Sequence, residues 1–176
     1  MKTDSPRSEF DQHYEIANNP ETFHFFLSNI QHVYWAENIQ LKTFSKWALL
    51  VNSQELRKSV LDYMLVTAGQ VQHIEHIFEI LAQKTKGKID TTLSDLIRDI
   101  EIITENTKTA ASAADSVIVK ALCEIASYQI EVYEKLNSLA KRLKHYKISE
   151  LIEKTLKEEH EIFRYFQNFG TRLTNS

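Results

Sequence analysis

"QKTKGKIDTTLSDLIRDIEIITENTKTAASAADS" (residues 83–116) is too long for a turn between helices and too polar at both ends to continue one. A short helix is predicted inside it, from about Thr91 to Thr104. The polar run "ENTKTAASAADS" follows, and Gly87 is placed to let the preceding helix turn. On either side the chain is almost uninterrupted. Only three glycines and two prolines occur in its 176 residues, which favours long helices over strands and turns.

Before this stretch two helices are predicted. "NNPETF" (residues 18–23) starts the first, with Asn19 as the cap, Pro20 in the first turn and Glu21 at the positive end of the dipole. It runs to about Leu50. "VNSQEL" (residues 51–56) breaks the chain, with Asn52 and Glu55 spaced as a capping pair, and a second helix runs to about Gln83. After the stretch, a fourth helix reaches Leu143, "KHYKISE" turns the chain, and a fifth closes near Gly170. Two helix pairs with short internal turns and one long link between them predict an all-α fold. The arrangement matches a ferritin-like four-helix bundle with an extra short crossover helix; an unrelated up-down bundle is the alternative that periodicity leaves open. The expected organisation is a polar N-terminal segment (1–18), one helical domain (19–170) and a tail (171–176).

Composition narrows the function. A chain 43% apolar and 26% charged has the balance of a folded domain. The net charge of −3 gives no footprint for nucleic acid or an anionic membrane, so neither is expected as a partner. No apolar run approaches the ~20 residues of a membrane span. "MKTDSPRSEFDQHY" (residues 1–14) lacks the apolar centre of a signal peptide, and Cys123 has no disulfide partner in the chain. A cytoplasmic location is expected.

Helical periodicity assigns the inward faces. On the first helix Phe23, Phe26, Leu27, Ile30, Val33, Tyr34, Leu41, Phe44 and Ala48 share an arc with Glu37 near its middle. On the fifth, Leu151, Ile152, Leu156, Ile162, Phe163, Phe166 and Phe169 surround Glu159. A carboxylate centred in an apolar stripe must be paired, protonated or ligating. The second helix turns Val60, Leu61, Met64, Leu65, Ala68, Val71, Ile74 and Phe78 inward. That leaves His73 pointing outward, His76 to the side, and Glu75 inward. The fourth presents Val117, Ala121, Ile125, Tyr128, Val132, Leu136 and Leu139, with Gln129 among them and Cys123 and Ser127 outward. Phe25, Trp35, Ile39, Trp47 and Leu50 lie off the main arc of the first helix and need a second surface to bury against: the short third helix or the N-terminal segment for part of it, and a two-fold partner copy for the rest.

"HVYWAENIQLKTFSKWA" (32–48), "TAGQVQHIEHIFEIL" (67–81), "YQIEVYEKLNSLAKRL" (128–143) and "LIEKTLKEEHEIF" (151–163) resemble the YciE/YciF stress-protein family, over about residues 22–169. The resemblance implies a ferritin-like domain, commonly dimeric, linked to bacterial stress responses, with a carboxylate centre suited to two iron-type ions. It carries Glu37, Glu158 and Glu159 over as acids. The family's Glu-x-x-His on the second helix falls on Leu65 and Ala68, and its Glu-x-x-Glu on the fourth falls on Ala126 and Gln129. The implied function is a stress-associated protein with a degenerate, non-catalytic di-metal centre, acting as a homodimer or through other protein contacts. Any residual metal site would use Glu37, Glu158, Glu159 and Gln129. No catalytic residue or cofactor is expected, unless such a residual site binds iron or manganese. The alternative is a di-iron or manganese carboxylate protein acting on oxygen or peroxide.

Overall fold

The computed structural model describes residues 19–106 and 111–174. The expected N-terminal segment 1–18 lies outside them. Five helices follow in order: α1 (Pro20–Leu50), α2 (Gln54–Ile80), α3 (Thr91–Asn106), α4 (Ala111–Arg142) and α5 (Tyr146–Thr174), with no strand among the described residues. Helix α5 runs past Gly170, and α4 begins inside the run expected to be a polar link.

Helices α1 and α2 form one antiparallel hairpin and α4 and α5 another; the hairpins meet along α1–α4 and α2–α5. Glu37 reaches Gln129 and Tyr133, while the backbone N–H of Asn52 reaches Asp115, so α1 and α4 are also antiparallel. Helices α2 and α4 therefore run the same way. The chain must travel back a full helix length, on the order of 40 Å at 1.5 Å per residue, before α4 can start. That distance is what the long middle stretch spans, and α3 carries part of it. The result is an all-α four-helix bundle with a crossover helix, the architecture expected from the sequence.

Short-range chemistry sets the turns. The α1–α2 corner is capped by Ser53, whose Oγ accepts the Leu56 N–H at 3.2 Å, and not by the Asn52–Glu55 pair. Arg57 donates to the carbonyls of Ala48 and Val51, both at 3.0 Å, covering the exposed end of α1. Asp115 accepts the N–H groups of Asn52 (2.7 Å) and Ser53 (3.0 Å), tying this corner to α4. At the start of α1, Asn19 makes no side-chain cap bond, although Pro20 does occupy the first turn.

Helix α2 ends earlier than expected, and not at a glycine. Ala82 takes a left-handed φ of 50°, with Gln83 N–H donating to Phe78 O and Ala82 N–H to Glu79 O. Lys144 (φ 58°) repeats this closure at the end of α4. No glycine has positive φ; Gly87 instead lets the chain lie against Trp35, whose Cβ would be 3.2 Å from an added methyl. Lys88 N–H donates to Gln31 O at 3.0 Å, fastening the crossover across α1. Asp90 caps α3 through Leu93 N–H and also accepts the Tyr128 hydroxyl, so α3 is anchored on α4.

The core falls into two apolar clusters. One, at the α3 end, is built on Phe44, Trp47, Leu56, Tyr63, Leu122, Phe166 and Phe169. The other is built on Phe23, Phe26, Ile30, Ile74, Phe78, Leu136 and Ile152. Trp47 is fully buried (0% exposed), which removes it from the surface expected to meet a partner. Trp35 and Ile39 are half-buried against the first cluster, beside α3. Phe25 and Leu50 remain exposed. The α1 and α5 faces follow the predicted arcs, but α2 is rotated. Leu61 and Leu65 are exposed (39% and 67%), while Tyr63, Thr67 and Gln70 point inward.

Candidate functional site: a polar waist in the bundle

Between the two clusters the core turns polar. Glu37 and Gln40 of α1, Thr67 and Gln70 of α2, Gln129 of α4 and Glu159 of α5 are all fully buried. Each helix contributes by register. Glu37 and Gln40 stand three apart, as do Thr67 and Gln70, so each pair lies on one face.

The carboxylates are held from across the seams between the hairpins. Glu37 Oε1 accepts the Tyr133 hydroxyl at 2.6 Å and the Gln129 amide at 2.8 Å, linking α1 to α4. Glu159 Oε2 accepts the Tyr63 hydroxyl at 2.9 Å and its Oε1 the Gln70 amide at 2.8 Å, linking α5 to α2. Glu158, half-buried beside them, receives only a 3.4 Å contact from Gln70. Burial, and then the charge of Glu159, push the Glu37 carboxyl well above the usual carboxylate range. Burial likewise lifts Glu159 to about 7, against the lowering effect of its bonds from Gln70 and Tyr63. Burial and the adjacent carboxylates raise both tyrosine hydroxyls, which remain donors. Both carboxyls therefore hold a proton more tightly than a free carboxylic acid, and ionising one opposes ionising the other.

Several buried oxygens of the waist have no protein partner: Glu37 Oε2, Thr67 Oγ1 and the side-chain carbonyls of Gln40, Gln70 and Gln129. The Gln40 amide nitrogen has none either. Neutral oxygens of this kind suit water or a hard cation.

The expected site residues divide as follows. Glu37, Glu159 and Gln129 come together at the waist, with Glu158 at its edge. Leu65 does not occupy a ligand position, since it is exposed; the α2 positions facing the carboxylates are Tyr63, Thr67 and Gln70. Ala126 is buried, as its proposed position requires. His73 is half-buried rather than solvated, with Nδ1 3.2 Å from Thr155 Oγ1 and Nε2 3.1 Å from Lys154 Nζ. Burial, and then Lys154, lower its pKa, so it is a neutral polar link between α2 and α5. His76 is exposed and pairs with Glu79 at 3.0 Å. Glu75 accepts the Tyr34 hydroxyl at 3.3 Å. Cys123, read as outward, is half-buried against the first cluster. Tyr63, Tyr133, Gln40, Thr67 and Gln70 were missed as site residues. Stepping back along α2 from Phe78 and Ile74 by threes and fours reaches Gln70, Thr67 and Tyr63, and that continuity was the available signal.

The donor set does not fit a pair of iron-type ions. Among the described residues no group of three or more histidine, cysteine, aspartate or glutamate side chains is placed to hold a metal. Two buried carboxylates, engaged by tyrosine and glutamine donors, supply too little charge and too few ligands for two divalent ions.

Residues 21–176 match the family described as "Domain of unknown function (DUF892)". The chain is 24% identical to Protein YciF of Escherichia coli (strain K12) over 135 residues, covering 76% of this chain and 81% of that protein. It is similar to the crystal structure of the E. coli stress protein YciF, with a TM-score of 0.82 and 22% identity over 88% of this chain and 98% of that one. The structure of YcfI from Rhodopseudomonas palustris matches at a TM-score of 0.79 and 21% identity, over 83% and 92% of the two chains. These structural likenesses are of fold. The family match spans nearly the whole chain, and the protein belongs to the DUF892 family.

Proposed function

We propose that this protein is a stress-associated relative of YciF whose di-metal centre has become a non-catalytic structural waist, and that it acts in the cytoplasm by association. The observation that carries this reading is the occupancy of the carboxylates. Tyr133 and Gln129 hold Glu37, and Tyr63 and Gln70 hold Glu159, where a metal pair would need more acids and histidines. Such a waist folds without metal and offers no open coordination position for oxygen or peroxide. Association is supported by the exposed apolar side chains of Phe25, Leu49 and Leu50 on α1. A second copy of the chain is the proposed partner. Elemental analysis of protein purified without chelator tests the reading. Well under one transition-metal ion per chain is expected, and near two per chain would overturn it.

One observation favours a second reading. The unpartnered oxygens of Glu37, Gln40, Thr67, Gln70 and Gln129 are acceptors of the kind a single hard cation takes, with Glu37 and Glu159 supplying charge. Manganese or ferrous iron near one per chain, lost on substituting Gln129 by Leu, would support it.

A further inference from the structure

A groove of about 550 Å³ opens between the first half of α2 and the last half of α5, away from the polar waist but touching it. Its lining includes Ser59, Tyr63, Val66, Ile162, Tyr165 and Phe166, a mainly apolar set. The volume lies within the range of ligand cavities, about 300–1,000 Å³. Three aromatic rings stand in sequence along it, with Tyr63 and Phe166 centroids 6.0 Å apart and Tyr165 and Phe166 5.2 Å apart. The polar atoms are few. Ser59 Oγ and the Tyr165 hydroxyl share one hydrogen bond at 2.6 Å.

The charges at the mouth are unequal. Glu55 is paired with Arg172 at 2.8 Å, and Asp62 with Lys58 at 2.7 Å. Glu161, also lining the groove, is exposed and has no ion pair among the described residues. The mouth therefore offers one uncompensated carboxylate beside the exposed Tyr165 ring, and both attract a cation. An anionic headgroup or a fatty acid would meet repulsion there.

We propose that this groove binds a small amphipathic organic cation, with its apolar body against Val66, Ile162 and Phe166 and its ammonium head between Glu161 and the Tyr165 ring. Tyr63 couples the two sites, because the residue that floors the groove also donates to Glu159 at 2.9 Å.

Calorimetric titration with three probes sharing one tail tests this: octyltrimethylammonium, octanol and octanoate. The cation should bind about three- to fivefold more tightly than octanol, as expected for one exposed cation–aromatic and carboxylate contact, and octanoate should bind most weakly. Glu161→Gln changes an exposed side chain and leaves the fold intact; it should bring the cation down to the affinity of octanol. Val66→Trp fills the groove and should remove binding of all three. Equal affinities, or octanoate binding best, would overturn the assigned class. Unchanged binding in a folded Val66→Trp variant would overturn the site. No binding by the unmodified protein, with Val66→Trp shifting its sedimentation, would show that a second copy covers the groove and would overturn the proposal.

Discussion

The waist and the ends of this bundle solve opposite problems with the same four helices. At the ends, Phe44 and Leu56 on one side, and Phe26 and Phe78 on the other, are fully buried among other apolar groups and need nothing but close packing. At the waist, six polar side chains are equally buried, and each must find a partner or bear the cost of lacking one. The ends pack side chains from all four helices, so they hold the hairpins to each other as well as closing each one. The waist joins the hairpins through four hydrogen bonds that cross from α1 to α4 and from α2 to α5. The ends thus contribute undirected apolar packing, and the waist adds directional bonds between the hairpins.

The comparison breaks most sharply if the waist is made into a metal site. Thr67→Glu, Gln70→His and Ala126→Glu together add two acids and a histidine at buried positions. Without metal this should destabilise the bundle by about 5 kcal/mol or more, since each new charge lacks a partner. With ferrous iron or manganese much of that loss should return by linkage, visible as a rise in melting temperature with metal concentration. The parallel variant Leu65→Glu with Ala68→His should show no such metal dependence, because Leu65 is 67% exposed. A metal-dependent melt in that second variant would reverse the α2 register.

Single substitutions contrast the two regions directly. Phe44→Ala removes a fully buried ring at one end and should cost about 3–5 kcal/mol. Gln40→Leu, equally buried, removes an amide whose nitrogen and oxygen both lack protein partners. It should be neutral or stabilise by about 1 kcal/mol in urea melts. A loss comparable to that of Phe44→Ala would mean that Gln40 holds something the apolar replacement cannot.

These contrasts explain what was legible in the sequence. The ends could be read because Phe, Ile and Val recur at helical spacing, and most sharply on α1 and α5. Glu37 and Glu159 could be read because a carboxylate stands out within such a stripe. The α2 side of the waist could not be read by the same rule. Its inward residues Tyr63, Thr67 and Gln70 are polar, Tyr63 and Gln70 because they hold Glu159, while Leu61 and Leu65 are apolar and exposed. Taking apolar as inward therefore rotated the helix and misplaced the expected ligand positions. Trp47 lies off the main arc yet is buried, because α1 buries more than one arc: the short third helix covers part of its second face, one of the two coverings expected there besides a partner.

Acid should separate the regions without any change of chain at the ends. Both waist carboxyls are lifted above their usual value of 4.5, mainly by burial, Glu159 to about 7. A group raised in the folded state favours folding fully below its unfolded pKa, and that contribution is lost as pH climbs through the folded value. The waist should therefore weaken between about pH 4.5 and 7, by on the order of 3 kcal/mol for Glu159 alone. Urea melts of the protein and of Glu37→Gln with Glu159→Gln, taken at several pH values, isolate this share, since other groups titrate alike in both. The difference between them should shift toward the variant as pH rises. A shift the other way would mean that the pair is stabilised as anions, as a bound cation would make it.

The smallest effect tests the corner that closes the aromatic end of α2. Ala82 sits at φ 50° with a side chain exposed to solvent, so its Cβ bears left-handed strain and gains no packing. Glycine removes that strain, worth roughly 1–2 kcal/mol, but adds freedom to the unfolded chain, worth roughly 0.5–1 kcal/mol in the other direction. Ala82→Gly should therefore raise stability by about 0.5–1 kcal/mol. The bonds from Gln83 N–H to Phe78 O and from Ala82 N–H to Glu79 O would be retained. The gain should be the same at pH 5 and pH 8, and with or without added manganese, because the corner lies beyond the waist and carries no titrating group of it. A gain that varied with pH or metal would show that the corner and the waist interact energetically, so that their contributions to stability do not add.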